Sequence, residues 1–162
     1  MSKAAVLIDG PDLYNQERAV GCRFAYHGIT QWASECAFDV KSVVYYSRSY
    51  DRGGYVSIRR LLDYLQAHEV PVVESAQALH THLTADALMS AFRGVESVIV
   101  VSSSATLAPL GAALRELKSR LIVLSVPRLL STELRLAADE SLDLEKTGLL
   151  EKFERARRGE AR

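Results

Sequence analysis

The chain has 162 residues, 48% hydrophobic and 25% charged, which is the composition of one soluble globular domain and excludes disordered, collagen-like and mucin-like classes. Lys plus Arg number 20 and Asp plus Glu 20, so the net field neither recruits nor repels a polyanion at long range, and any nucleic-acid contact has to be a local patch. Arginine supplies 15 of the 20 cations, a bias toward the fork-shaped donor that suits phosphates and carboxylates.

Cys22 and Cys36 make no disulfide framework and have no metal-ligand spacing, so two reduced, buried thiols of a cytosolic protein are expected. Met1 to Gly10 carries one Lys and only a short apolar run before Asp9, too little for a secretory leader. The apolar runs Val98 to Val101 and Leu121 to Leu124 fall far short of a membrane span, so a soluble, cytoplasmic protein is expected.

Short β-branched runs alternate with segments of helical period, the pattern of βαβ units around a parallel sheet. The predicted strands are Ala4 to Ile8, Val40 to Ser47, Val70 to Val73, Ser97 to Ser102 and Leu121 to Val126. Ile58, Leu61, Leu62 and Leu65 fall at i, i+3, i+4 and i+7, as do Ala85, Leu88, Met89 and Phe92, and both sets predict a helix packing that face on the sheet. A third helix carries Leu107, Leu110, Leu114 and Leu117, with Pro109 tolerable near its first turn. The continuous apolar runs at Ser97 and Leu121 predict strands buried on both faces. A short helix is expected around Arg128 to Ala138, then an acidic stretch through Asp139, Glu140, Asp143 and Glu145. A charged tail follows, residues 146–162, whose Leu149, Leu150 and Phe153 have the spacing of a final docked helix. The expected organisation is one domain over residues 1–145 plus that tail.

Open parallel sheets bind ligands at the carboxyl ends of their strands, where the strand order reverses. After the first strand, Asp9 and Asp12 sit three residues apart around Gly10-Pro11, a plausible half of a Mg²⁺ site because hard cations take carboxylate oxygens. The alternative is that Asp12 caps the next helix while Asp9 orders the turn. No dinucleotide or nucleotide-triphosphate glycine motif occurs, so no nucleotide cofactor is expected.

Ser102, Ser103, Ser104 and Thr106 lie between a strand end and a helix start, where free amides favour an anion or phosphate; helix capping is the competing use. His80-x-His82 with Asp86 four residues on raises a transition-metal site, although its spacing is not diagnostic, against surface histidines. Arg48, Arg52, Arg59 and Arg60 interleave with Tyr45, Tyr46, Tyr50 and Tyr55, an arrangement that can grip single-stranded RNA; Arg48 and Arg52 are the candidate contacts, against a reading of core tyrosines and a solvated helix face. A phosphatase-like use of Asp9 as nucleophile wants a second Asp where Pro11 stands.

The run Val6-Leu7-Ile8-Asp9-Gly10-Pro11-Asp12-Leu13-Tyr14 resembles the opening motif of the NYN domain family, which includes LabA-like proteins and belongs to the PIN-like nuclease superfamily. Ala85-Asp86-Ala87-Leu88 resembles its helix-borne Asp-Ala-Leu segment, Val100 to Leu110 its Val-Ser-Gly-Asp-Ser-Asp-Phe-x-Pro-Leu segment, and Leu134 to Asp139 its closing Leu-x-x-x-x-Asp. The resemblance spans residues 3–145. It implies an α/β fold of three αβα layers, with a doubly wound, PIN-like parallel sheet of five or six strands in the order 3-2-1-4-5. It also implies an acidic Mg²⁺ or Mn²⁺ site for RNA cleavage, in which metal ions orient a water and neutralise phosphate charge.

Asp9 and Asp86 match the family's acidic positions and would be the catalytic pair, with Asp9, Asp12 and Asp86 as metal ligands. Four positions depart from the pattern. Asp12 stands for an Asn, His80 for an Asp, and Ser104 and Thr106 for the two aspartates of the fourth-strand loop. Hydroxyls bring no charge to offset dehydration of Mg²⁺, so any Mg or Mn is expected to bind weakly. The expected function is therefore a weak or non-catalytic module, a pseudoenzyme binding RNA, a nucleotide or a protein partner. The alternative is an active metal-dependent endoribonuclease using Asp9, Asp12 and Asp86. No membrane partner is expected, and a homodimer through an exposed sheet edge is compatible with the sequence.

Overall fold

A computed structural model describes residues 1–48 and 56–152. Along the chain, β1 (Ser2–Asp9) runs into α1 (Gly10–Val20), β2 (Cys22–Phe24), α2 (Ile29–Glu35) and β3 (Phe38–Arg48). Next come α3 (Val56–Ala67), β4 (Val72–Ser75), α4 (Leu79–Phe92), β5 (Ser97–Val101) and α5 (Leu110–Glu116). The chain continues with β6 (Arg120–Ser125), α6 (Thr132–Ala137), β7 (Glu140–Asp143) and β8 (Leu150–Lys152).

Six strands form one sheet in the order β4-β3-β1-β5-β6-β7, and every neighbouring pair is parallel. Counted within this sheet alone the order is 3-2-1-4-5-6, the expected doubly wound sheet with one further strand at its edge. The core lies in two layers because side chains alternate along each strand. Val6, Ile8, Ile99, Ile122 and Leu124 face α1, α2 and α3, packing on Leu13, Trp32, Leu62 and Leu65. Leu7, Val98, Val100, Leu121 and Val123 face the other way, onto Leu83 and Ala87 of α4, Leu110 and Leu114 of α5 and Leu134 of α6. β5 is buried along its whole length, which explains its unbroken apolar sequence. No helix among the described residues is long and apolar enough to cross a membrane.

Four expectations are corrected. α4 buries Leu79, Leu83, Ala87 and Ala91, whereas Met89 is 45% and Phe92 76% exposed, so its core face is rotated from the stripe read in the sequence. Small side chains at Ala87 and Ala91 let the helix lie close to the sheet, and hydrophobicity alone does not reveal that choice. Cys36 is exposed and Cys22 half-buried; both are free thiols, not buried ones.

The described part of the C-terminal tail is not helical either. Gly148 turns the chain at φ 79°, Leu149 is buried in the core, and β8 pairs antiparallel with β2. The edge of β2 offers unpaired backbone groups, and three residues suffice to use them. Finally, the helix expected over residues 128–138 is split. A 3-10 turn at Pro127–Leu129 is followed by extended Leu130, and the Ser131 side chain then accepts from the Leu134 amide to cap α6.

Candidate functional site

The chain winds outward from β1 through β3 to β4, then returns to the other side of β1 for β5, so the strand order reverses beside the carboxyl end of β1. Strand alternation aims three polar residues to one face there. Asp9 follows Leu7, Arg48 follows Tyr46 and Ser102 follows Val100, and those three apolar residues all pack in the α4 layer. α4 begins at the same end of the sheet and places His80 in its first turn. Asp9, Arg48 and His80 border a cleft of about 530 Å³ that is also lined by Asp12, Asn15, Gln77 and Ser104.

Asp9 is only 1% exposed, and its Oδ2 accepts from His80 Nε2 at 2.7 Å and from Ser102 Oγ at 2.8 Å. The other ring nitrogen of His80, Nδ1, bonds Thr106 Oγ1, which in turn lies 2.9 Å from Ser104 Oγ. Asp12 accepts from the Ser103 amide and Ser103 Oγ, both at 2.8 Å, and from Gln16 Nε2 at 2.8 Å. Gln16 is itself buried, and its Oε1 accepts from the Val126 amide at 2.8 Å, which ties the Asp12 carboxylate to the end of β6. Asp12 therefore does not cap α1; it fastens the β5 loop to it.

The loop after β5 spends its amides on protein oxygens. Ser103 N–H goes to Asp12, Ser104 N–H to Ser102 Oγ at 3.2 Å, and Thr106 N–H to Ser104 Oγ at 3.3 Å, where Ser104 caps a 3-10 turn that precedes α5. In this arrangement Ser102, Ser103, Ser104 and Thr106 hold the crevice together, and the capping alternative describes Ser104.

Asp86 is placed elsewhere. It lies six residues beyond His80 on α4, about 9 Å along the helix axis, and its Oδ2 accepts from the buried Tyr46 hydroxyl at 2.6 Å. Burial and the neighbouring Asp86 carboxylate push the Tyr46 phenol well above its usual range. Tyr45 is buried in the opposite layer, so both tyrosines of this pair serve the core. Arg52, Tyr50 and Tyr55 lie outside the described residues, while Arg59 and Arg60 are exposed on α3. His82 is exposed and does not share the His80 contacts. Asp139 belongs to the opposite end of the sheet, where it accepts from the Leu121 amide at 2.8 Å and Arg115 Nε at 3.2 Å.

As arranged, these side chains do not make a cage for a hard divalent cation. Among the described residues no three His, Cys, Asp or Glu side chains come together in a metal-holding group. The two carboxylates of the crevice already accept from protein donors, and Asp86 is not among the residues that line it.

The Asp9 bond raises the His80 pKa above its ordinary value; burial opposes this, and the Asp9 and Asp12 charges add to the rise while Arg48 lowers it. Because the folded value lies above the unfolded one, the stability this group contributes is complete below about pH 6.5 and is lost as pH rises through the folded value. Urea denaturation at pH 6 and pH 8.5 is expected to show the wild type losing stability, and His80→Gln losing less. Equal losses in the two would remove His80 as the cause.

A doubly wound parallel sheet between two helical layers, with a carboxylate-lined crevice at its switch point, defines the class: a three-layer α/β domain consistent with the PIN-like fold. The model of the NYN domain matches residues 3–145, and the chain belongs to the NYN domain family. A protein of unknown function from Vibrio parahaemolyticus has the same fold, with a TM-score of 0.75 and 23% identity over 92% of this chain and 96% of its own. A 3-dehydroquinate dehydratase-like protein from Bifidobacterium longum aligns at a TM-score of 0.45 and 12% identity, covering 91% of this chain and 87% of its own. No curated protein matches the sequence.

The sequence pointed neither to Gln16 nor to the partner of His80. Gln16 is one turn beyond Asp12 on α1, an i, i+4 spacing that could have paired them. The His80 contact with Asp9 spans 71 positions and has no local signal.

Proposed function

We propose that this NYN domain binds single-stranded RNA in the switch-point crevice and does not hydrolyse it with a metal ion. The observation that carries this reading is the pair of carboxylates, Asp9 and Asp12, which already accept from His80, Ser102, Ser103 and Gln16. A metal-dependent nuclease needs such oxygens for an ion that positions water and neutralises phosphate. Arg48, exposed at the end of β3 and lining the same cleft, supplies a fork-shaped donor for a phosphate, and Asn15 and Gln77 supply amides that can meet a base edge or a sugar hydroxyl.

Fluorescence anisotropy with a labelled single-stranded RNA is expected to show saturable binding that Arg48→Ala weakens about tenfold, with a shallower salt dependence. Binding unchanged by Arg48→Ala, or absent altogether, overturns the RNA reading and leaves a protein partner for the crevice. Incubation of the RNA with Mg²⁺ or Mn²⁺ is expected to leave it intact. Cutting that disappears in Asp9→Ala would establish an active endoribonuclease in its place.

A further inference from the structure

A divalent cation and a hydrogen-bond donor compete for the same carboxylate lone pairs. In this crevice donors hold several of them: Oδ2 of the buried Asp9 accepts from His80 at 2.7 Å and Ser102 at 2.8 Å, and Asp12 accepts from Ser103 and Gln16. Ser102, Ser103 and Gln16 are not among the residues that line the cleft, and Gln16 is also tied to the residue that follows β6. His80 differs from them. Its ring lines the cleft beside Asp9 and is 33% exposed, whereas the Asp9 side chain is 2% exposed, so His80 is the partner of Asp9 that solvent and ions reach. We infer that His80 occupies the place of a divalent cation on Asp9, supplying a donor where a metal site would need a third carboxylate.

The neighbouring hydroxyls complete the arrangement. Thr106 Oγ1 bonds Nδ1 of His80 and lies 2.9 Å from Ser104 Oγ, which keeps the ring aimed at Asp9. Thr106 and Ser104 are positioning residues. A carboxylate at position 80 would remove the donor from Asp9 and bring a third acidic side chain to the cleft beside Asp9 and Asp12, the donor set and charge that a hard cation requires. The inference concerns the protein's own groups and stands whether or not RNA is the ligand.

The experiment uses the full chain and Mn²⁺ alone, followed by electron paramagnetic resonance and calorimetry. The wild type is expected to show no saturable binding at millimolar Mn²⁺. His80→Asp should bind Mn²⁺ at least about tenfold more tightly than the wild type, and Asp9→Ala should abolish the gain. His80→Asn, which removes the imidazole without adding charge, should show no such gain. Tight Mn²⁺ binding by the wild type, or equal behaviour of His80→Asp and His80→Asn, overturns the inference. Should His80→Asp fail to fold, the wild type decides: Mn²⁺ at low stoichiometry is expected to leave the His80 ring resonances sharp, and their selective broadening would mean that the ion displaces or joins the ring at Asp9.

Discussion

Replacing Gly10 by alanine is expected to destabilise the protein by about 3 kcal/mol, the upper end of ordinary overpacking costs. Gly10 is the first residue of α1, directly after Asp9, and a Cβ there would lie 2.4 Å from the backbone oxygen of Tyr46 and 2.6 Å from Cζ and the hydroxyl of Tyr45. Neither neighbour can yield cheaply. The Tyr46 oxygen belongs to β3, which is paired on both sides, and the Tyr45 ring is held against Tyr26 with centroids 5.8 Å apart. The gain in helix propensity from Gly to Ala, about 1 kcal/mol, does not offset displacement of a helix from a central strand. For a domain of this size a loss of about 3 kcal/mol lowers the melting midpoint by roughly 6–12 °C. Urea denaturation checks it, and a loss below about 1 kcal/mol would mean that α1 lifts from β3 without resistance. The same displacement should move Asp9 and Asp12, so amide shifts at Ser102 and Ser103 are expected to change in the folded variant.

Asp9→Ala is expected to destabilise the protein by about 2–3 kcal/mol, and its sign is as informative as its size. Where acidic side chains crowd together to await a cation, deleting one relieves repulsion and makes the metal-free protein more stable. Here Asp9 accepts from Ser102, whose side chain is fully buried, and from His80. The alanine variant leaves the Ser102 hydroxyl without that acceptor in a dry place and removes a charge-assisted bond to the imidazole. Asp9→Asn, which keeps the volume and one carbonyl oxygen, should fall between wild type and alanine. Denaturation in the presence of a chelator gives the comparison, and a more stable Asp9→Ala variant would contradict the donor-satisfied crevice.

The parts of the fold written in local sequence are those whose burial is simple. β5 and β6 read as continuous apolar runs because both faces are covered, and α3 shows its stripe because Leu62 and Leu65 meet one layer while Arg59 and Arg60 meet water. The α4 stripe misled because Ala87 and Ala91 win the contact with the sheet through size, leaving Met89 and Phe92 outside. β2 and β8 carry no period at three residues each, and they exist only because each supplies the other's backbone partners.

The candidate site divides in the same way. Asp9 and Asp12 are legible because a carboxylate ending a buried strand, followed by Gly-Pro, is locally costly and needs partners. That Asp9, Arg48 and Ser102 face one layer follows from period two once the strands are fixed. The departures at His80, Ser104 and Thr106 were visible as residue types, yet the sequence assigned them separately, as a metal pair with His82 and as an anion loop. Folding brings position 80 to position 9 and position 106 to position 80, across separations of 71 and 26 residues. By itself the sequence determined the layers and the end of the sheet where acids gather, which follow from periodicity and connection length, and its family resemblance implied the strand order. Only the tertiary structure decided that the crevice carboxylates are answered by protein donors and that Asp86 joins Tyr46 instead, because which donor reaches which lone pair depends on how helices from distant parts of the chain seat on the sheet.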